Sequence, residues 1–285
     1  MENISPPDPK QAEVAWLLRQ LNGLASALLS LHEMKEFEFA YGGQNQLIYS
    51  YHHDIKPANI LVFEHVKGMN PVFKLGDFGA ARSHTMSKTQ DEMSQQSSHL
   101  RGTITYWGPE YSGRKSRPFD IWALACVYLE LMIWFILKDE LEVFHANRIQ
   151  SSHTTLGVKN DFYWTRVNES HAELNPAVIK YLETLEDRIL GMHVVGPLLA
   201  QVLELIIECF QIDPQQRPTA TKVCEQLDGL QQAAEILAKN VGNNIQASST
   251  EAQVDTTNLP HRHSDEPEDD HKRSRSPRHN TFPQE

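Results

Sequence analysis

The chain has 285 residues, enough for one or two domains, and 40% of them are hydrophobic, enough to bury a sizeable core. A formal net charge of −11 argues against broad nucleic-acid binding, which needs a basic face. Three cysteines, Cys126, Cys209 and Cys224, lie in apolar, helix-like stretches. They read as small buried hydrophobes of a reducing compartment rather than a disulfide framework, and no Cys/His cluster has zinc-site spacing.

Met1 to Asp8 is acidic and proline-rich, unlike a signal peptide. A helix is predicted next: Asp8 suits the N-cap, Pro9 the first helical position, and Gln11 can reach back as in a capping box. Val14, Leu17, Leu18, Leu21, Ala25, Leu28 and Leu31 then recur at helical spacing and mark a core face. Glu33 to Asn45 breaks that pattern with charges and Gly42-Gly43, and predicts a surface loop.

The most informative stretch runs from Tyr51 to Val62. Asp54 sits in a polar turn, Lys56 follows at the second position, and Asn59 comes three residues later, before an apolar run. Asp-x-Lys-x-x-Asn suits phosphoryl transfer: the carboxylate accepts a hydroxyl proton, the lysine steadies the transferred phosphate, and the amide oxygen ligates Mg2+. Taken alone, the stretch also reads as a solvated turn with Asp54 and Asn59 as turn residues.

Ile60-Leu61-Val62-Phe63 and Val72-Phe73-Lys74-Leu75 are β-type runs around a turn-like Lys67-Gly68-Met69-Asn70. They predict a hairpin with Asn59 at its entry and Asp77 at its exit. Ser83 to Ser98 is polar, without apolar periodicity, and reads as a mobile loop. Phe119 to Leu137 predicts a helix that is apolar all round and therefore buried. Its longest apolar run, Val127 to Leu137, is interrupted by Glu130 and is too short to span a bilayer. Lys138 to Glu169 is poorly patterned, and its histidines read as surface or satisfied residues. Helices are predicted at Pro176 to Ile189, Val195 to Phe210 and Pro218 to Leu237. From about Lys239 the chain turns polar and charged, with Phe282 its only aromatic, a composition that cannot order itself. The basic patch Lys272 to Arg278 reads as solvated disorder, with a nuclear signal as the alternative.

The ordered motifs Asp54-x-Lys56-x-x-Asn59, Asp77-Phe78-Gly79 and Gly108-Pro109-Glu110, the last preceded by Gly102-Thr103-Ile104-Thr105-Tyr106, resemble those of eukaryotic protein kinases of the Ser/Thr branch. The resemblance covers about residues 9–238 and only the C-terminal lobe. It implies a mainly α fold with a small β-hairpin, the N-terminal β-rich lobe being absent. Residues 1–8 are then an N-terminal extension, 9–238 the lobe, and 239–285 a disordered polar tail.

The resemblance implies ATP and Mg2+ as cofactors, with Asp54 as base, Lys56 on the phosphate, Thr103 tying Asp54 to Lys56, and Asn59 and Asp77 as metal ligands. His52, Phe78, Gly79, Glu110, Asp120 and Arg217 carry over as structural residues. Asp120 holds the catalytic-loop backbone, although a carboxylate at a helix start is also simply a good cap. Arg217 pairs with Glu110. Three positions depart from the family pattern. His53 stands where an Arg usually grips a phosphorylated segment, and histidine lacks that bidentate fork. Gly108 replaces Ala and Ala125 replaces Gly, and both look tolerable.

No GxGxxG and no Val-Ala-Ile-Lys-like strand occurs in the 285 residues. The expected partners are a protein substrate and an N-terminal lobe supplied in cis or in trans, without membrane or strong nucleic-acid association. The expected location is intracellular, in the cytoplasm or alternatively the nucleus. A non-catalytic scaffold or docking module competes with the catalytic reading. An aminoglycoside-type kinase is a third candidate, but Lys56, Gly108-Pro109-Glu110 and the helix led by Asp120 argue against it.

Overall fold

The computed structural model describes residues 8–33, 36–39, 45–64, 70–78, 82–84, 104–111, 116–151, 160–168 and 171–253, with backbone alone at 36–39, 45–49, 82–84 and 241–253. The chain divides into two units, Met1–Ala238 and Lys239–Glu285. The first holds the site.

Helix α1, Gln11–His32, buries the predicted face against the core. It starts two residues later than expected. Lys10 is the N-cap residue, and its backbone N–H donates to the Glu13 carboxylate at 2.8 Å. Asp8 is not the cap; it pairs instead with Arg188 at 2.7 Å. A side-chain acceptor three residues into the helix satisfies the N-cap donor as well as the expected arrangement would.

The stretch after α1 is not a plain loop. It contains strand β1, Glu36–Phe39, which pairs antiparallel with β2, Asn45–Tyr51, and β2 pairs in turn with β5, Arg82–His84. The hairpin forms as predicted: β3, Ile60–Phe63, lies antiparallel to β4, Val72–Leu75, in a register that sets Ile60 opposite Leu75. Polar anchors from α1 fix its position. The Trp16 indole N–H donates to the Pro71 carbonyl at 2.8 Å, and the Gln20 side-chain oxygen accepts from the Phe73 N–H at 2.9 Å.

Helix α2, Arg117–Met132, continues as a π-turn over Ile133–Leu137. It is buried from Phe119 to Met132, as an apolar helix must be. The Tyr128 hydroxyl ties it to α1 by donating to the Leu21 carbonyl at 2.6 Å. Among the described residues, two helical stretches, Gln11–His32 and Arg117–Leu137, the second longer than the Val127–Leu137 run it contains, are long and apolar enough to cross a membrane. In this fold 61% and 89% of their apolar windows are buried inside the protein.

The poorly patterned region holds helix α3, Glu140–Ser151, and a small antiparallel pair, β6, Trp164–Arg166, with β7, Ala172–Leu174. Helices α4, Pro176–Leu190, and α5, Gly196–Cys209, follow close to their predicted bounds. Asn175 caps α4 by accepting from the Ala177 N–H at 2.9 Å. Helix α6, Ala220–Gln253, does not stop where the composition turns polar at Lys239. Residues 254–285, which make up most of the expected disordered tail, lie outside the described residues.

Candidate active site

The site is built on backbone that α2 holds from below. Asp120, wholly buried at the start of α2, accepts the His52 N–H at 2.8 Å, the His53 N–H at 2.8 Å and the His32 ring nitrogen Nε2 at 2.9 Å. One carboxylate thus anchors two successive amides of the loop that carries Asp54. The His52 ring reaches across to the Gly76 carbonyl at 3.0 Å and joins the loop to the end of β4. His53 adopts a positive φ of 74°, which side-chain-bearing residues seldom take. Its ring lies between Tyr51 and Phe119, at centroid distances of 5.5 and 5.4 Å. The Asp120 hydrogen bond and these rings hold the turn in that form.

Asp54 faces a small, defined polar set. Its Oδ2 meets the Lys56 ammonium at 2.9 Å and accepts from the Asn59 amide Nδ2 at 3.0 Å. The same amide donates to the Asp54 carbonyl at 2.7 Å. Among the described residues, the buried Oδ1 of Asp54 has no hydrogen-bond donor. A carboxylate with one oxygen pinned by a cation and an amide, and the other unclaimed, is arranged to accept a proton.

Asn59 closes the 3₁₀ turn Pro57–Asn59, and its carbonyl accepts the Gly76 N–H at 2.8 Å. This continues the β3–β4 register by one pair and brings Asn59 to the strand end from which Asp77 emerges. Asp77 is exposed and has a positive φ of 55°, a conformation that Asp tolerates better than most residues. Because Nδ2 of Asn59 is committed to Asp54, the atom of that amide left to face a cation is the acceptor Oδ1. A neutral amide oxygen and an exposed carboxylate oxygen on one rigid hairpin are the hard donors that Mg2+ takes beside phosphate oxygens. The donor set therefore fits the metal. Phe78 packs against the His52 ring at 5.0 Å. Thr103 and Gly79, both expected in the site, lie outside the described residues.

Below the site, Glu110 and Arg217 form a bidentate pair, with Nη1 2.6 Å from Oε1 and Nη2 2.9 Å from Oε2. The Arg217 side chain is 0% exposed and that of Glu110 16%. Arg217 also donates to the carbonyls of Gln211 and Pro118, and its guanidinium lies 4.9 Å over the Trp122 ring. Gly108 leaves room for this pair: a Cβ there would stand 2.5 Å from Glu110 Oε2, so an alanine would need the Glu110 carboxylate to shift.

A model of the protein kinase domain matches residues 42–227. The chain belongs to the protein kinase family. The chain is 28% identical over 235 residues to the L-type lectin-domain containing receptor kinase VIII.2 of Arabidopsis thaliana, covering 81% of this chain and 28% of that relative. It is 28% identical over 226 residues to the probable LRR receptor-like serine/threonine-protein kinase RKF3 of the same plant, covering 76% and 29% of the two chains. It is 29% identical over 205 residues to the meiosis induction protein kinase IME2/SME1 of Saccharomyces cerevisiae, covering 61% and 30%. The chain thus spans less than a third of the length of these relatives.

Two functional features escaped sequence reasoning. His32 joins Asp120, yet a histidine at the end of an apolar helix carries no signal of its own. Glu130 is a buried charge whose partners come from as far along the chain as Tyr163. The visible clue was an acid in the middle of an apolar helix, which cannot stay charged there unless it is paired.

Proposed function

We propose that this chain carries the substrate- and metal-binding half of a Ser/Thr protein kinase, and that Asp54 is its general base. One observation carries the reading: the carboxylate whose Oδ2 is held by Lys56 and Asn59 while its buried Oδ1 has no donor among the described residues. ATP with Mg2+ supplies the γ-phosphoryl group. Asn59 and Asp77 would hold the metal, and Lys56 would set a positive charge where the phosphoryl group passes. Asp54 takes the proton of the substrate hydroxyl as its oxygen bonds to phosphorus, and ADP leaves with the electrons of the broken P–O bond. The choice of Ser/Thr over Tyr substrates rests on Lys56 and on family likeness.

Within residues 1–285 there is no GxGxxG loop and no Val-Ala-Ile-Lys-like strand to grip the phosphates. Phosphoryl transfer depends on such positioning and charge. We therefore expect residues 1–285 alone to bind Mg-ATP weakly and to transfer little phosphate. Fusion to a Gly-rich β lobe taken from a relative should restore transfer that Asp54→Asn abolishes. Sub-millimolar ATP affinity with Asp54-dependent activity in residues 1–285 alone would overturn the need for a second lobe. A folded fusion that transfers nothing would favour a scaffold. A separate observation supports that second reading: Leu61, Val62 and Phe63 form three successive exposed apolar residues on β3, a ready contact surface.

A further inference from the structure

The proposed chemistry leaves a buried charged cluster unexplained. Glu130, 5% exposed in the apolar run of α2, accepts from the Tyr106 hydroxyl at 3.1 Å and from the Tyr163 hydroxyl. It also faces His145 Nε2 at 3.1 Å and Arg148 Nη2 at 3.8 Å. Arg148, 2% exposed, lies over the Tyr163 and Phe144 rings and donates to the Asp161 carbonyl at 2.9 Å. The Asp161 carboxylate in turn accepts from the Thr105 hydroxyl at 2.5 Å. The Trp164 indole N–H donates to the Trp107 carbonyl at 2.9 Å.

Three successive residues, Thr105, Tyr106 and Trp107, are therefore tied down from three places: the stretch before β6, helix α2, and β6 itself. Core packing alone does not call for this, since Thr105 and Trp107 are only partly buried. The tied segment also touches the catalytic loop. The Trp107 ring lies 6.2 Å from Phe119, whose ring lies 5.4 Å from that of His53, the neighbour of Asp54.

We propose that Asp161, held in place by Arg148, is a positioning residue that clamps Thr105–Trp107 and so sets the surface beside Asp54 on which the protein substrate lies. The clamp comes from chain that follows α2, in the region where sequence patterning is weakest. Its substrate role rests on the kinase reading; its effect on the segment does not.

The test uses the full chain with Thr105→Val, Thr105→Ser and Asp161→Ala. Hydrogen exchange followed by mass spectrometry should show Ile104–Trp107 opening at least tenfold faster in Thr105→Val and Asp161→Ala, with α5 still protected. Thr105→Ser, which keeps the hydroxyl, should behave as the unaltered chain. In the lobe fusion, both disruptive variants should raise the peptide KM about tenfold and leave the ATP KM unchanged. Unchanged exchange at Ile104–Trp107 in the disruptive variants overturns the clamp. So does a change in the ATP KM equal to that in the peptide KM. If Asp161→Ala loses α5 protection, the Thr105 pair decides alone. A fusion that transfers no phosphate refutes the proposed function, and the exchange result still decides the clamp.

Discussion

Arg217 shows how much a single side chain can carry. Its guanidinium, itself out of solvent, is spent on Glu110 and on the carbonyls of Gln211, Pro118 and Ile212. Removing it strands the Glu110 carboxylate, and breaking a buried pair from one side costs about 3–5 kcal/mol. Arg217→Ala and Glu110→Ala should each show a loss of that size in chemical denaturation, and the double variant should lose well short of their sum. Small, additive losses would mean that the pair contributes only as an exposed bridge does. Gly108→Ala should be destabilising in its own right, by up to about 1–3 kcal/mol, because the new methyl would push the Glu110 carboxylate off its place on Arg217. The same denaturation curves would measure it. Asp54, Lys56, Asn59, Glu110 and Arg217 were legible in the sequence because they sit in short motifs in a fixed order. The Asp54 geometry was not, because which carboxylate oxygen is claimed depends on the fold.

Helix α2 shows where pattern reading stops. Its burial follows directly from its composition, yet the two acids it carries act differently. Asp120 anchors the catalytic loop from the first turn, and Glu130 gathers partners from beyond the helix. Burial by itself pushes the Glu130 carboxyl up, but hydrogen bonds from His145 and Tyr163 and the charges of His145 and Arg148 outweigh it and hold the carboxyl below its ordinary value. A carboxyl depressed in the folded state stabilises the fold at pH above its unfolded value, about 4.3, and that contribution is lost as the pH falls through the lower folded value. Glu130→Gln should therefore be clearly less stable than the unaltered chain near neutrality, and the gap should narrow once acidification passes below the ordinary carboxylate range. Thermal melts over a pH series would show it, and a gap constant with pH would refute it. Among the elements, α1, the β3–β4 hairpin, α4 and α5 were readable from periodicity and turn residues. Strand β1 was missed because its charged, glycine-flanked stretch becomes a strand only through its pairing with β2. The α6 helix outruns the sequence estimate because polarity lowers burial without breaking helical backbone.

At the scale of the whole molecule, the three cysteines report on the integrity of the core. Burial pushes the thiols of Cys126 and Cys224 up, and that of Cys209 to about 12. Thiolate is the reactive form, so all three should resist Ellman's reagent in the native chain at mildly alkaline pH and react together in guanidinium. Rapid reaction of any one in the native chain would show that its part of the core opens. The overall class, a mainly helical protein kinase unit, was visible from motif order. How its parts hold one another was not, because those contacts span large sequence distances.

That distance has a consequence for how the protein is made. The amides of His52 and His53 find their acceptor 68 and 67 residues further along the chain. At roughly 5–20 residues per second, a ribosome needs about 3–14 s to reach that acceptor after the loop has been synthesised. Over that interval the nascent chain carries every letter of the loop around Asp54 without the Asp120 and Phe119 contacts that help hold His53 in its unusual backbone form. The native form of this loop is thus withheld from the growing polypeptide until its central helix arrives.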